Sequence, residues 1–175
     1  MHTGDVGTLL PNGALKIIDR KKNIYKLSQG EYIAPEKIEN IYTRHPLVAE
    51  IYMYGDSLKS FNVAVVTPNK DEFLKFVKNY SEELSHKSFE ELCDDPKIAE
   101  LVVDKINKEV NKEGGLHSFE IPKKIKLNPL SFAARGLLTP TMKLQRHLAK
   151  KIFEDAINEL YKKEPAQWPY PTIYV

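Results

Sequence analysis

Apolar and polar positions along this chain fall into two periods, and the switches between them mark out the predicted elements. Val6 to Leu10 and Ala14 to Ile18 flank Pro11-Asn12-Gly13. Proline presets the turn and glycine supplies a positive φ, so the pattern predicts a β-hairpin. A polar, charged break follows at Asp19-Arg20-Lys21-Lys22-Asn23, then a short strand-like alternation at Ile24 to Leu27, a turn at Ser28-Gln29-Gly30 and an extended stretch at Glu31-Tyr32-Ile33. Pro35 suits the first position of a helix with Ile38, Ile41 and Tyr42 on one face, ending near His45-Pro46.

Leu47 to Tyr54 and Ser60 to Thr67 are rich in β-branched and aromatic residues, with Gly55-Asp56 as the turn, and are predicted as a central strand pair. From Pro68 the period becomes helical. Asn69 and Glu72 have capping-box spacing ahead of Phe73, Phe76, Val77 and Tyr80, and Ser88 and Glu91 repeat it. Asp95-Pro96 opens a further helix carrying Ile98, Leu101, Val102, Ile106 and Val110, stopped by Gly114-Gly115. Ile121 to Leu127 returns to strand. A loop from Asn128 to Lys143 leads to one last helix with a stripe of Leu148, Ile152, Phe153, Ala156 and Leu160. The tail, Glu164 to Val175, lacks periodicity and is expected to be extended. Strands before, between and after helices, without regular βα alternation, indicate an α+β class: a small mixed or antiparallel sheet with packed helices, preceded by a β-hairpin and a hinge.

Composition narrows the function classes. The chain has 175 residues, enough to bury roughly 70% of its unfolded surface without disulfide or metal. Its single Cys93 favours a reducing, cytoplasmic setting. No apolar run approaches the roughly 18 residues of a membrane span, so no direct span is expected in this segment. A net charge of +2 does not make nucleic acid the default partner, and Lys123, Lys124, Lys126, Lys150 and Lys151 lack an interleaved aromatic ladder. The five histidines and Cys93 show no metal-ligand spacing.

Three segments carry groups without an evident packing role. In Thr3-Gly4-Asp5, glycine allows close backbone approach and the carboxylate could accept two hydroxyls of a sugar diol; a turn aspartate bonding its own backbone is the other reading. Asp19-Arg20-Lys21-Lys22, with Lys26 beyond it, suits a phosphate or nucleotide, or a hinge, or else a solvated charge run. Gly136 to Lys143 forms a Gly/Thr/Pro-shaped loop with Lys143 at its exit, either a point charge for a phosphate or carboxylate or an exposed lysine of a first helical turn capped by Thr141.

In order and spacing these segments resemble the C-terminal lid domain of acyl-adenylate-forming enzymes, and within them the long-chain fatty-acid CoA ligase branch. The resemblance covers nearly all of residues 2 to 161, and its most specific part is the run from Asp19 through Gln29-Gly30-Glu31-Tyr32-Ile33-Ala34-Pro35 to Asn40. It implies that Asp5 and Arg20 contact the ATP ribose and that Lys26 belongs to the linker closing over the adenylate. Asp19 and Lys22 would form the hinge, and Gly30, Glu31 and Tyr32 would line the CoA pantetheine channel. Lys143 would bridge ATP phosphate and acyl carboxylate as the catalytic lysine. The wider superfamily usually has Ser-Gly before that lysine and an aspartate at the hinge position; Thr141-Met142 and Lys22 here resemble the eukaryotic long-chain branch, as does the helical insertion of residues 69 to 115.

The implied division is 1–19 as the end of an N-terminal domain, 20–163 as the lid and 164–175 as a tail. Fatty acid, ATP and CoA would be substrates, Mg2+ would be held with the large N-terminal domain, and that domain would be the partner. The abrupt start at Met1-His2-Thr3-Gly4-Asp5 is then expected to be a boundary cut just ahead of the ribose aspartate, and the chain alone is expected to be inactive. The parent would be cytoplasmic, associated with the cytosolic face of an intracellular membrane. A free-standing interaction module with the lid fold, or an adenylating enzyme that loads a carrier protein, are the alternatives.

Overall fold

The structure is a computed structural model that describes residues 3–113 and 115–162. The expected tail, together with His2 and Gly114, lies outside them.

The chain opens with an antiparallel hairpin, β1 (Asp5–Leu9) and β2 (Leu15–Arg20), in which Asp5 pairs with Arg20 and a bulge falls between Val6 and Gly7. Gly13 turns the hairpin at φ +80°. A second, two-residue pair follows, β3 (Tyr25–Lys26) with β4 (Tyr32–Ile33). Helix α1 (Pro35–Tyr42) has proline in its first turn, and its N-cap Ala34 supplies no side-chain bond. The first-turn N–H of Glu36 is instead taken by Asp19 Oδ2 at 2.8 Å, from the end of β2. A carboxylate there offsets the positive end of the helix dipole.

The main sheet has three strands in the order β5-β6-β7: β5 (Val48–Tyr54), β6 (Val63–Pro68) and β7 (Lys124–Leu127). It is mixed, because β5 and β6 run antiparallel while β6 and β7 run parallel. The strand pair expected at the centre therefore contributes only β6 to the middle position. This explains its continuous burial, since apolar side chains are needed on both faces. Helix α2 (Lys70–Tyr80), a short 3-10 turn at Glu83–His86, α3 (Phe89–Asp94) and α4 (Pro96–Glu113) make the long crossover from β6 to β7. Helices α5 (Arg146–Ile152) and α6 (Glu154–Lys162) close the described chain.

Two cores lie on opposite faces of the sheet. Ile51, Met53, Ala64, Val66, Ile125 and Leu127 face α1 to α4, meeting Ile38, Tyr42, Phe73, Val77, Leu92, Ile98, Val102 and Ile106. Tyr52, Val63 and Val65 face the other way, against Phe132, Leu137, Ala149, Phe153 and Ile157. This is the period-two alternation of strands. Each fully buried aliphatic or aromatic side chain contributes about 1.5–3 kcal/mol relative to exposure.

Three local expectations are corrected. Asn69 occupies the N-cap of α2 but its side chain makes no capping bond, and Glu72 pairs with Lys75 instead; the box at Ser88 and Glu91 does form. The single last helix is two, broken at Phe153, whose backbone leaves the helical region at φ −98°, ψ 11°. The break moves the buried stripe to Ala149, Phe153 and Ile157 and leaves Ile152 46% exposed. Strand β7 begins only at Lys124, because Ile121 and Pro122 still belong to the loop that receives Asn107 Nδ2 on the Pro122 carbonyl at 2.9 Å.

One close approach is diagnostic. A Cβ on buried Gly55 would lie 2.7 Å from Asn62 Oδ1 and 2.7 Å from the Tyr25 ring, where Tyr25 donates its hydroxyl to Asn62 Oδ1 at 2.8 Å. Gly55→Ala is expected to destabilise the fold by about 1–3 kcal/mol through overpacking, read as a lowered denaturant midpoint at unchanged slope.

Candidate functional site

The hairpin brings the first two sequence candidates together. Asp5 and Arg20 are cross-strand partners and line an open concavity with Thr3, Gly4, Lys21 and Lys22. Gly4, at φ +79°, makes the bend that allows this, and Lys21 N–H donates to its carbonyl at 2.8 Å. Both side chains are exposed, so a carboxylate and a guanidinium stand on one face, suited to a diol and to an anionic or hydroxyl group respectively.

Asp19 differs from its exposed neighbours. It is 2% exposed and accepts from Arg20 N at 2.6 Å, Asn23 Nδ2 at 3.2 Å and Glu36 N at 2.8 Å. The charged break is therefore a folded turn with a buried anchor, and Lys22 stands exposed on it. That anchor joins β2 to the start of α1.

Lys26 does not join Asp5 and Arg20. It pairs in register with Tyr32, and its ammonium lies 5.5 Å from the Tyr32 ring centroid. The connecting turn is closed by Leu27 N to Glu31 O at 2.9 Å and Gly30 N to Leu27 O at 3.0 Å. Gly30 needs its freedom here, at φ +109°. Tyr32 is 69% exposed, so the turn presents a rim of glycine backbone, an aromatic face and a cation. Glu31 Oε2 is buried without a hydrogen-bond partner.

Lys143 leaves a tight loop. Leu138 and Leu144 form an antiparallel bridge, Thr139 N donates to Lys143 O at 2.8 Å, and Met142 N donates to Thr139 O at 2.9 Å. Thr139 Oγ1 accepts from Lys143 N at 3.0 Å and lies 3.0 Å from Thr141 Oγ1. The reading of Thr141 as a helix cap is thereby replaced, since α5 starts only at Arg146 with Gln145 as its N-cap. Lys143 is exposed. Met142 sits at φ +59°, the left-handed region that favours glycine, and is 70% exposed. Met142→Gly is expected to raise stability by about 0.5–1 kcal/mol, strain relief outweighing the added chain entropy, seen as a higher melting temperature.

Just beyond that loop stands a pair without an obvious sequence signal. Arg146, three residues after Lys143, makes a two-pronged contact with Glu39 of α1: Nη1 to Oε1 at 3.0 Å and Nη2 to Oε2. Glu39 Oε1 also accepts from Met53 N at 2.8 Å. Burial pushes the Glu39 carboxyl up, against the opposing pull of Arg146 and the hydrogen bonds it receives. Burial opposes the Arg146 charge too, but Glu39 holds the guanidinium protonated more firmly than usual. The one available hint was a glutamate beside the apolar stripe of α1, which needs a cation once buried. Among the described residues no group of three or more His, Cys, Asp or Glu comes together as a metal site, and no helix is long and apolar enough to cross a membrane.

This mixed sheet between two helical layers, with an exposed glycine turn and a lysine loop on one small unit, is the fold of the smaller part of adenylating enzymes. It superposes on the adenylation domain of the carboxylate reductase of Mycobacterium chelonae with a TM-score of 0.74 and 34% identity, over 92% of this chain and 23% of that one. It likewise superposes on that of the carboxylic acid reductase of Segniliparus rugosus in complex with AMP and a co-purified carboxylic acid, with a TM-score of 0.73 and 30% identity, over 91% and 23%. Residues 37–126 match the AMP-binding enzyme C-terminal domain, and the chain belongs to that family. It is 48% identical to long-chain-fatty-acid CoA ligase 5 of Mus musculus over 93% of this chain and 23% of the relative. Against the peroxisomal long chain acyl-CoA synthetase 7 of Arabidopsis thaliana it is 43% identical, over 98% and 24%. The chain thus spans about a quarter of the length of these relatives.

Proposed function

We propose that this chain is the C-terminal part of a long-chain fatty-acid CoA ligase that makes acyl-adenylate from fatty acid and ATP and then transfers the acyl group to CoA. The observation that carries this reading is the 48% identity to a long-chain-fatty-acid CoA ligase across nearly the whole chain. Exposure of Asp5, Arg20, Lys22 and Lys143 supports it.

In the first step a carboxylate oxygen of the fatty acid attacks the α-phosphorus of ATP and pyrophosphate leaves. Asp5 would accept the ribose hydroxyls, Arg20 would bond the ribose, and Lys143 would place a positive charge between the phosphate and the carboxylate as charge shifts. In the second step the CoA thiolate attacks the acyl carbonyl and AMP leaves. Gly30, Glu31 and Tyr32 would then line the pantetheine channel, with Lys26 beside them closing over the adenylate. Residues 20–163 would rotate as a lid against a unit ending at residue 19, about a hinge at Asp19 and Lys22. The partner would be the N-terminal domain, which would contribute the fatty-acid site and the Mg2+ that supplies charge neutralisation at the phosphates. A cytoplasmic setting agrees with a single, buried cysteine.

The test is made on the full-length protein that includes this chain. Fatty-acid-dependent exchange of pyrophosphate into ATP, followed by CoA-dependent release of AMP, is the expected result, and the 175-residue chain by itself should show neither. Exchange without any use of free CoA would redirect the reading to a carrier-bound acceptor.

A further inference from the structure

We propose that Arg146 is a positioning residue for adenylation, pinning the Lys143 loop to α1 so that the lysine is carried with that helix as one rigid piece. The inference rests on the assignment of Lys143 above and adds a residue that assignment does not include. Three observations meet here. Arg146 begins α5, and Gln145 before it ties both sides of the lysine loop, donating its N–H to Leu137 O at 2.8 Å and its side-chain amide to Leu138 O at 3.2 Å. The guanidinium is largely buried, its side chain 19% exposed, and its fork is spent on Glu39, whose side chain is 10% exposed. Glu39 belongs to the helix whose first turn is held by buried Asp19.

The chain of contacts is continuous: Asp19 to the Glu36 N–H, α1 to Glu39, Glu39 to Arg146, and three residues on to Lys143. Asp19 also lies within electrostatic reach of both Glu39 and Arg146. An exposed lysine on a loop has many rotamers and a mobile base. A planar, two-pronged clamp at the base removes the second freedom in a way that a single ammonium contact would not. A misplacement of about 1 Å at a catalytic group costs on the order of 100-fold in rate, so a clamp that sets the loop acts on rate without touching substrate.

The experiment uses the full-length protein with Arg146→Met, Arg146→Lys, Lys143→Ala and the double variant Lys143→Ala/Arg146→Met. Adenylation is followed by pyrophosphate release, thioester formation from supplied acyl-adenylate, and folding by melting temperature. Arg146→Met is expected to lower the adenylation kcat by about 10- to 100-fold with KM for ATP little changed and thioester formation preserved. Arg146→Lys should recover only part of the loss. In the Lys143→Ala background, Arg146→Met should add almost nothing, because it acts through that lysine. Arg146→Lys carries the same comparison if Arg146→Met does not accumulate folded. Multiplicative losses in the double variant, equal loss of both half-reactions, or near-native adenylation in both Arg146 variants would each overturn the proposal. If Lys143→Ala itself leaves adenylation intact, the assignment of the lysine fails first, and that outcome is distinguishable from failure of the clamp alone.

Discussion

Lys143→Ala in the full-length protein is expected to slow acyl-adenylate formation by about 100- to 1,000-fold, the equivalent of about 3–4 kcal/mol of transition-state stabilisation, while thioester formation from supplied adenylate persists. The direction follows from the proposed role of Lys143, and the geometry leaves the lysine free for it. Lys143 is exposed at the exit of a loop closed by the Leu138–Leu144 bridge and the Thr139 contacts, and among the described residues its ammonium has no carboxylate partner. Its charge is therefore available to a ligand rather than consumed by the fold. Removing it costs the fold little, so the melting temperature should hold while the first half-reaction collapses. Equal loss of both half-reactions would show that the lysine serves the closed lid in general and not the developing charge at phosphate.

Glu39→Ala should give the largest loss of stability, about 3–5 kcal/mol, because it strands a buried guanidinium that cannot release its proton. The loss also orphans the Met53 N–H, which Glu39 Oε1 accepts at 2.8 Å. Arg146→Met is expected to cost less, since the remaining carboxyl can take up a proton. Burial already pushes that carboxyl up, and Arg146 is the first of the influences opposing the rise. Without the guanidinium the folded-state pKa climbs further above its unfolded value. The folded state then binds more protons than the unfolded one, so stability falls as pH rises through the elevated value. Arg146→Met should thus recover most of its stability at mildly acid pH, whereas Glu39→Ala should not. Denaturant titrations of the two variants at acid and neutral pH check this, and a Glu39→Ala loss that vanishes in acid would contradict it.

Much of the architecture was legible because it is encoded locally. Pro11-Asn12-Gly13 set the hairpin turn, Pro35 the start of α1, Ser88 and Glu91 a capping box, and alternation the strands β5 and β6. The same spacing rule failed at Asn69 and Glu72, where Lys75 competes for the glutamate. It failed again at Phe153, where packing against Tyr52 and Phe132 draws the side chain inward and interrupts the helix that periodicity extends. The candidate residues Asp5, Arg20, Gly30, Tyr32 and Lys143 were legible as a motif series with a known likeness. Their grouping was not: Lys26 stands with Tyr32 and not with Asp5 and Arg20.

The sequence by itself determined most of the elements, the α+β class and the linear order of chemical groups, since propensity, turn residues and periodicity act within a few residues. Only the tertiary structure decided that β7 joins β6 in parallel, that Asp19 caps α1 from 17 positions away, and that Glu39 and Arg146 meet across 107 positions. Such pairings are selected by loop closure and by the need of every buried charge for a partner, and neither leaves a periodic trace in the chain.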